Sequence, residues 1–237
     1  MTTKKKVAII LTLCILIAIP VIYYFPQLKK ISSQPEKGLE VLLSISGIAA
    51  FSFKLILINL AIFFSAAMVD LFALGWERSA LRRLFFIRNR SARGDLWCWV
   101  LSVLSLYDFF ALAFSFGLFY VLSSVIYQAQ GFSLLDMIPY AAIQFLVLIL
   151  LGDLKHYLWH RFMHFRPFWE LHKYHHSAEE LNLITTARGH FIEKGFLLIF
   201  DSLLFILLGA PIEFYMAYII LKEFYAQILH SNLNWSL

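Results

Sequence analysis

The stretch MIPYAAIQFLVLILLGDLKHYLWHRFMH, residues 137–164, decides how this chain is built. Its first sixteen positions, Met137 to Gly152, carry no charge, whereas the last twelve contain Asp153, Lys155, His156, His160, Arg161 and His164. A helix across all 28 residues reaches about 42 Å, more than a hydrocarbon core of about 30 Å. The last three turns therefore emerge from the apolar layer, and their polar side chains need no burial in lipid. At three- and four-residue steps, Asp153, His156, His160 and His164 share an arc of about 80° on one helix face.

The rest of the chain agrees with a membrane setting. Of its 237 residues 61% are hydrophobic and 15% charged, with a mean hydropathy of +0.74. Ordinary soluble domains run at roughly 45–50% apolar and about 25% charged. A soluble globule, a disordered chain and a disulfide scaffold are excluded. The two cysteines, Cys14 and Cys98, lie in or beside apolar runs and read as small buried hydrophobes. The net charge of +5 sits largely next to apolar runs with no nucleic-acid motif, so it reads as membrane-flanking charge and no nucleic-acid partner is expected.

Outward from the quoted stretch, the apolar runs lay out a topology. Lys4-Lys5-Lys6 precede Val7–Phe25, a first span that lacks the small-residue cleavage site of a signal peptide. Val41–Trp76 is interrupted by Lys54, so the second span is expected from about Leu55 to Trp76, with the part before it shallow in the interface. Asp70 falls inside that span and should face protein or water. Glu77–Asp95 reads as a basic loop with Arg78, Arg82, Arg83, Arg88, Arg90 and Arg93. The positive-inside rule places both this loop and the N-terminus in the cytoplasm.

Leu96–Leu135, with Asp108 as its one charge, supplies a third span, and the quoted stretch supplies the fourth. Phe196–Phe224 is broken at Gly209-Ala210-Pro211 and reads as a membrane-inserted helical hairpin that returns His230 to the face of the other histidines. The expectation is an all-α integral membrane protein of about four transmembrane helices plus this hairpin, multi-pass, with a cytoplasmic-face histidine cluster. Residues 1–95 form the N-terminal spans and basic loop, and residues 96–237 the domain that carries the chemistry.

Seven of the eight histidines fall within the 35 residues from His156 to His190. Pro167 allows a break and the first turn of a new helix, in which His172, His175 and His176 span about 100°. Two helices thus point imidazoles at a common volume. Imidazole suits iron, zinc, copper and nickel, and five or more histidines exceed an ordinary single zinc site, so the count favours two metal ions. Asp153 is the candidate to orient an imidazole through its free N–H; helix packing explains it nearly as well. Glu193 has two readings, a partner of His190 or a salt bridge with Lys194 or Arg188.

His160-Arg-Phe-Met-His164 followed by His172-Lys-Tyr-His175-His176 resembles the HxxxH and HxxHH boxes of the fatty acid hydroxylase/sterol desaturase superfamily of integral-membrane di-iron enzymes. The similarity extends through Asp153–His160, Arg188-Gly-His190-Phe-Ile-Glu193 and His230-Ser-Asn-Leu233, covering roughly Pro139 to Leu237. The resemblance implies a non-haem di-iron centre held by His160, His164, His172, His175, His176, His190 and His230. It also implies O2 as co-substrate, hydroxylation or desaturation of a fatty acyl or sterol-like lipid, and electrons from a separate ferredoxin- or cytochrome b5-like donor with its reductase. His156 stands where the family usually has an aromatic residue.

The family's third box, another HxxHH, follows the single-histidine segment, and no second HxxHH occurs through Leu237. The resemblance therefore implies either a chain that continues or a shortened member with an incomplete metal site. The competing class is a non-catalytic membrane protein that binds or transports metal, or a regulatory homologue. Asp70 and Asp108 are the features in favour of transport.

Overall fold

The structure is a computed structural model and describes residues 45–86, 89–104, 106, 134–210 and 212–231. Among these residues every regular element is helical and none is a strand. The chain divides into two compact units: residues 1–105, 177–188 and 219–237 form one, and residues 106–176 and 189–218 the other.

In the first unit α1 (Ile45–Leu74) leads through a 3-10 turn at Trp76–Arg78 to α2 (Ala80–Phe86) and α3 (Arg90–Val103). α1 is apolar on all sides. Ile62, Phe63, Ala66, Ala67 and Val69 are buried, while Leu57, Phe64, Met68 and Phe72 form an exposed stripe at seven- and four-residue steps. Such a helix has one face for protein and one suited to lipid. The buried face joins a core with Leu183, Ile184, Ile220, Phe224 and Ile228.

Asp70 lies on the protein side of α1 with no solvent exposure, and its Oδ2 accepts a hydrogen bond from the Ala80 backbone N–H at 2.5 Å. The first N–H groups of a helix have no partner within it, so Asp70 ties the start of α2 to α1. A packing role accounts for it.

The helix continues upstream through Lys54, and its spanning-length part, Ile56–Leu74, agrees with the expected span from about Leu55. One expectation is corrected here. The basic segment Glu77–Asp95 is largely helical rather than a loop, because Ala80, Leu81 and Leu84 sit at helical spacing within it and pack onto the core. α3 opens on Asn89, whose side chain accepts from the Ala92 N–H at 2.7 Å, and Cys98 is buried within the helix.

In the second unit a 3-10 turn at Leu134–Met137 precedes α4 (Ala141–Met163). Gln144 Nε2 donates back to the carbonyls of Leu135 and Ile138 at 3.0 and 2.8 Å, which fixes this turn against the helix. The helix consequently begins at Ala141 rather than at Met137. Ile143, Leu146, Leu150, Leu154 and Leu158 form an exposed apolar stripe along it. α5 is the single turn Trp169–His172. α6 (Phe191–Leu208) ends at Gly209, whose φ of +66° terminates the helix, and α7 (Ile212–Leu229) follows, belonging to this unit as far as Tyr218 and to the first unit from Ile219. The Phe205 ring meets Tyr215 and Tyr218, each at 5.0 Å. The helix–break–helix pattern at Gly209 is therefore present.

Among the described residues two helical stretches are long and apolar enough to cross a membrane, Ile56–Leu74 and Ala141–Met163. They correspond to the second and fourth expected spans. Val7–Phe25, Cys14, Asp108 and most of Leu96–Leu135 lie outside the described residues.

Candidate metal centre

α4 delivers His160 in its last turn and His164 as its C-terminal cap. The backbone reverses through Phe165-Arg166-Pro167, α5 delivers His172, and a 3-10 turn at His175–Ser177 delivers His175 and His176. One continuous helix through His172–His176 does not form. α5 stops after one turn, capped by the Lys173 N–H on the Trp169 carbonyl, and the 3-10 turn re-aims the last two imidazoles.

His160, His164, His172 and His176 converge, with one ligand nitrogen from each lying within 4.8 Å of all the others. Nε2 of His160 lies 3.2 Å from Nε2 of His164, and Nε2 of His172 lies 3.0 Å from Nε2 of His176. Two nitrogens bound to one ion at about 2.0–2.1 Å and roughly at right angles are about 3 Å apart. Each pair therefore has the bite of a metal chelate, and the donor set fits ion binding. His175 is adjacent but outside this foursome, its ring centroid 5.2 Å from His176 and 5.4 Å from His172.

The surroundings grade from dry to open. His172 is buried, His160 half-buried, and His164 and His176 exposed. The Trp169 ring flanks the exposed pair at 5.3 Å from His164 and 5.6 Å from His176. Burial, and then the neighbouring His172 and His164, hold the His176 imidazole below the ordinary histidine range, with Glu193 acting in the opposite sense. A neutral imidazole is the form that ligates a metal.

The remaining site candidates are not among these four. His190 immediately precedes α6, where its Nδ1 accepts from the Ile192 N–H at 3.3 Å and its ring stacks on Phe191. His230 belongs to the first unit, and its Nδ1 lies 2.8 Å from the Ala226 carbonyl. Asp153 is exposed on α4. The carboxylate that meets an imidazole of the foursome is Glu193, with Oε1 at 2.7 Å from His172 Nδ1. Arg188, one of the cations considered for it, pairs instead with Asp95 at 2.7 Å.

Residues 145–237 match the fatty acid hydroxylase family. The match is consistent with the fatty acid hydroxylase/sterol desaturase superfamily, and this region contains every histidine of the chain. No curated protein and no solved structure matches the chain. A region that matches the fatty acid hydroxylase model, with a converged histidine cluster, suggests a lipid-modifying oxygenase, and with two apolar spanning-length helices it suggests a membrane protein.

Two ion pairs escaped the reading of the sequence. Arg188 Nη1 reaches Asp95 across 93 positions, and within the residues that match the family model Lys155 of α4 pairs with Asp201 of α6. The signal for the second is Asp201, the one charge in the apolar run Phe196–Leu208, since charges in such runs are kept by pairing.

Proposed function

We propose that this protein hydroxylates or desaturates a lipid at a histidine-bound di-iron centre, drawing electrons from a separate redox protein. The observation that carries the reading is the convergence of His160, His164, His172 and His176 within a region matching the fatty acid hydroxylase family. Their nitrogens would hold the metal, with His175, His190 and His230 as further donors for a second ion. Bound iron supplies O2 activation; hydroxylation sends one oxygen atom to the lipid and the other to water, consuming two electrons and two protons.

The chain's own side chains prepare both approaches to the centre. Leu154, Leu158 and Phe162 stay exposed on the helix that carries His160, which suits an acyl chain or sterol entering from the bilayer. Arg161, Arg166 and Lys173 are exposed between the histidines and suit an acidic electron donor or a lipid phosphate. Asp153 could orient an imidazole of the site through a bridging water. The cluster faces the cytoplasm in this reading, where such donors reside.

The test is iron analysis of the purified protein combined with mass spectrometry of lipids from cells that express it. The expected result is bound iron and lipids that have gained one oxygen or lost two hydrogens, both abolished by His160→Ala and by His172→Ala. An iron-free protein, with a lipid profile the same in wild type and variants, would overturn the proposal. Iron binding without any lipid change would favour the metal-binding or regulatory alternative.

A further inference from the structure

Glu193 lies in the first turn of α6, outside both histidine boxes, and is 7% exposed. Its Oε1 sits 2.7 Å from Nδ1 of His172, which is 2% exposed. Its Oε2 is buried and meets no hydrogen-bond partner among the described residues. The carboxylate is thus committed to one imidazole in a dry setting.

A neutral imidazole carries its proton on one nitrogen, and an ionised carboxylate only accepts. With His172 as a neutral metal ligand and Glu193 ionised, the proton at the 2.7 Å contact belongs to Nδ1. Nε2 is left with its lone pair, directed toward the nitrogen of His176 at 3.0 Å. We propose that Glu193 is the positioning residue for His172, holding the tautomer and ring angle in which Nε2 presents its lone pair to the metal. This rests on the metal-centre reading above and names the residue that prepares its most buried ligand. Outer carboxylates of this kind fix ligand orientation and raise ligand basicity.

The experiment uses the purified full chain and its Glu193→Gln, Glu193→Asp and Glu193→Ala variants, titrated with Fe(II) and with Co(II) against a competing chelator. Gln keeps the shape and removes the charge, so affinity should fall by about 10–100-fold, with a shifted visible spectrum of the bound Co(II). Asp should fall between wild type and Gln. A merely structural role would lower the melting temperature of the metal-free protein but leave the affinity and Co(II) spectrum of the folded fraction unchanged, and that result overturns the proposal. If Gln does not fold, Asp decides: lowered affinity supports the role and wild-type affinity overturns it. A wild-type chain that binds neither metal overturns the metal-centre reading itself, and this proposal with it.

Discussion

Gly152 has no room for a methyl group. A Cβ built there would lie 2.5 Å from the ring of Tyr218, which is 1% exposed and has no space to retreat. Gly152→Ala should therefore destabilise the protein by about 1–3 kcal/mol, as overpacking does, and Tyr218→Leu added to it should recover part of the loss. Thermal melting of the single and double variants checks this; a Gly152→Ala protein that melts like wild type would sink it. At His176 the depressed pKa fixes the sign of a pH effect. The folded state takes up this proton less readily than the unfolded chain, so the contribution is intact above the unfolded value of 6.5 and is lost as pH falls below it. The stability difference between wild type and His176→Gln in metal-free protein should accordingly shrink on acidification from pH about 7.5 to about 5, crossing the histidine range. A difference that stays flat or grows would contradict it. Of the four converging histidines, His160 and His164 were legible as a pair because helical periodicity places them on one face, whereas His172 and His176 meet through a turn in place of the expected helix. Glu193 was not legible, because its contact with His172 spans 21 positions and depends on where α6 packs.

Between elements, the Asp95–Arg188 pair does what no local pattern announces. Asp95 on α3 is fully buried; its Oδ1 takes Arg188 Nη1 at 2.7 Å and its Oδ2 takes the Thr185 hydroxyl at 3.0 Å. Arg188 also donates to the Ser91 and Ser177 hydroxyls at 3.0 and 2.9 Å. These bonds hold the strap Ser177–Arg188 whose chain leads out of His176 and into His190, and Asn182 caps its 3-10 turn at Leu183–Ala187. Asp95→Ala should cost about 3–5 kcal/mol because it strands a buried guanidinium, whereas Asp95→Leu with Arg188→Met should recover much of that. Denaturant melts of the three proteins test this; equal losses in the single and double variants would show that the pair itself is not what matters. Elements with long apolar periodicity, α1 and α4, were readable from sequence. Short ones were not: a few apolar residues among arginines sufficed to make α2, and one turn sufficed to end α5 before His175.

For the whole molecule, hydropathy located the two spanning-length helices because lipid and protein both reward apolar surface. It could not show that the first unit draws on three separated segments of chain, since that grouping comes from side-chain packing between distant positions. What hydropathy and charge do commit to is sidedness. Arg78, Arg82, Arg83, Arg90 and Arg93 follow Ile56–Leu74 directly, and the last turn of α4 and the turns after it carry Arg161, Arg166 and Lys173. Cationic flanks stay in the cytoplasm, so both groups should share one side of the membrane. Glu170, exposed and paired with Lys173 between the two boxes, is a suitable reporter position. In a Glu170→Cys chain with Cys14 and Cys98 replaced by Ala, a membrane-impermeant maleimide should label the thiol only after the membrane is opened. A second reporter, Arg82→Cys, should behave identically. Labelling of either position in intact cells would reverse the orientation, and with it the access of a cytoplasmic electron donor to the histidine cluster.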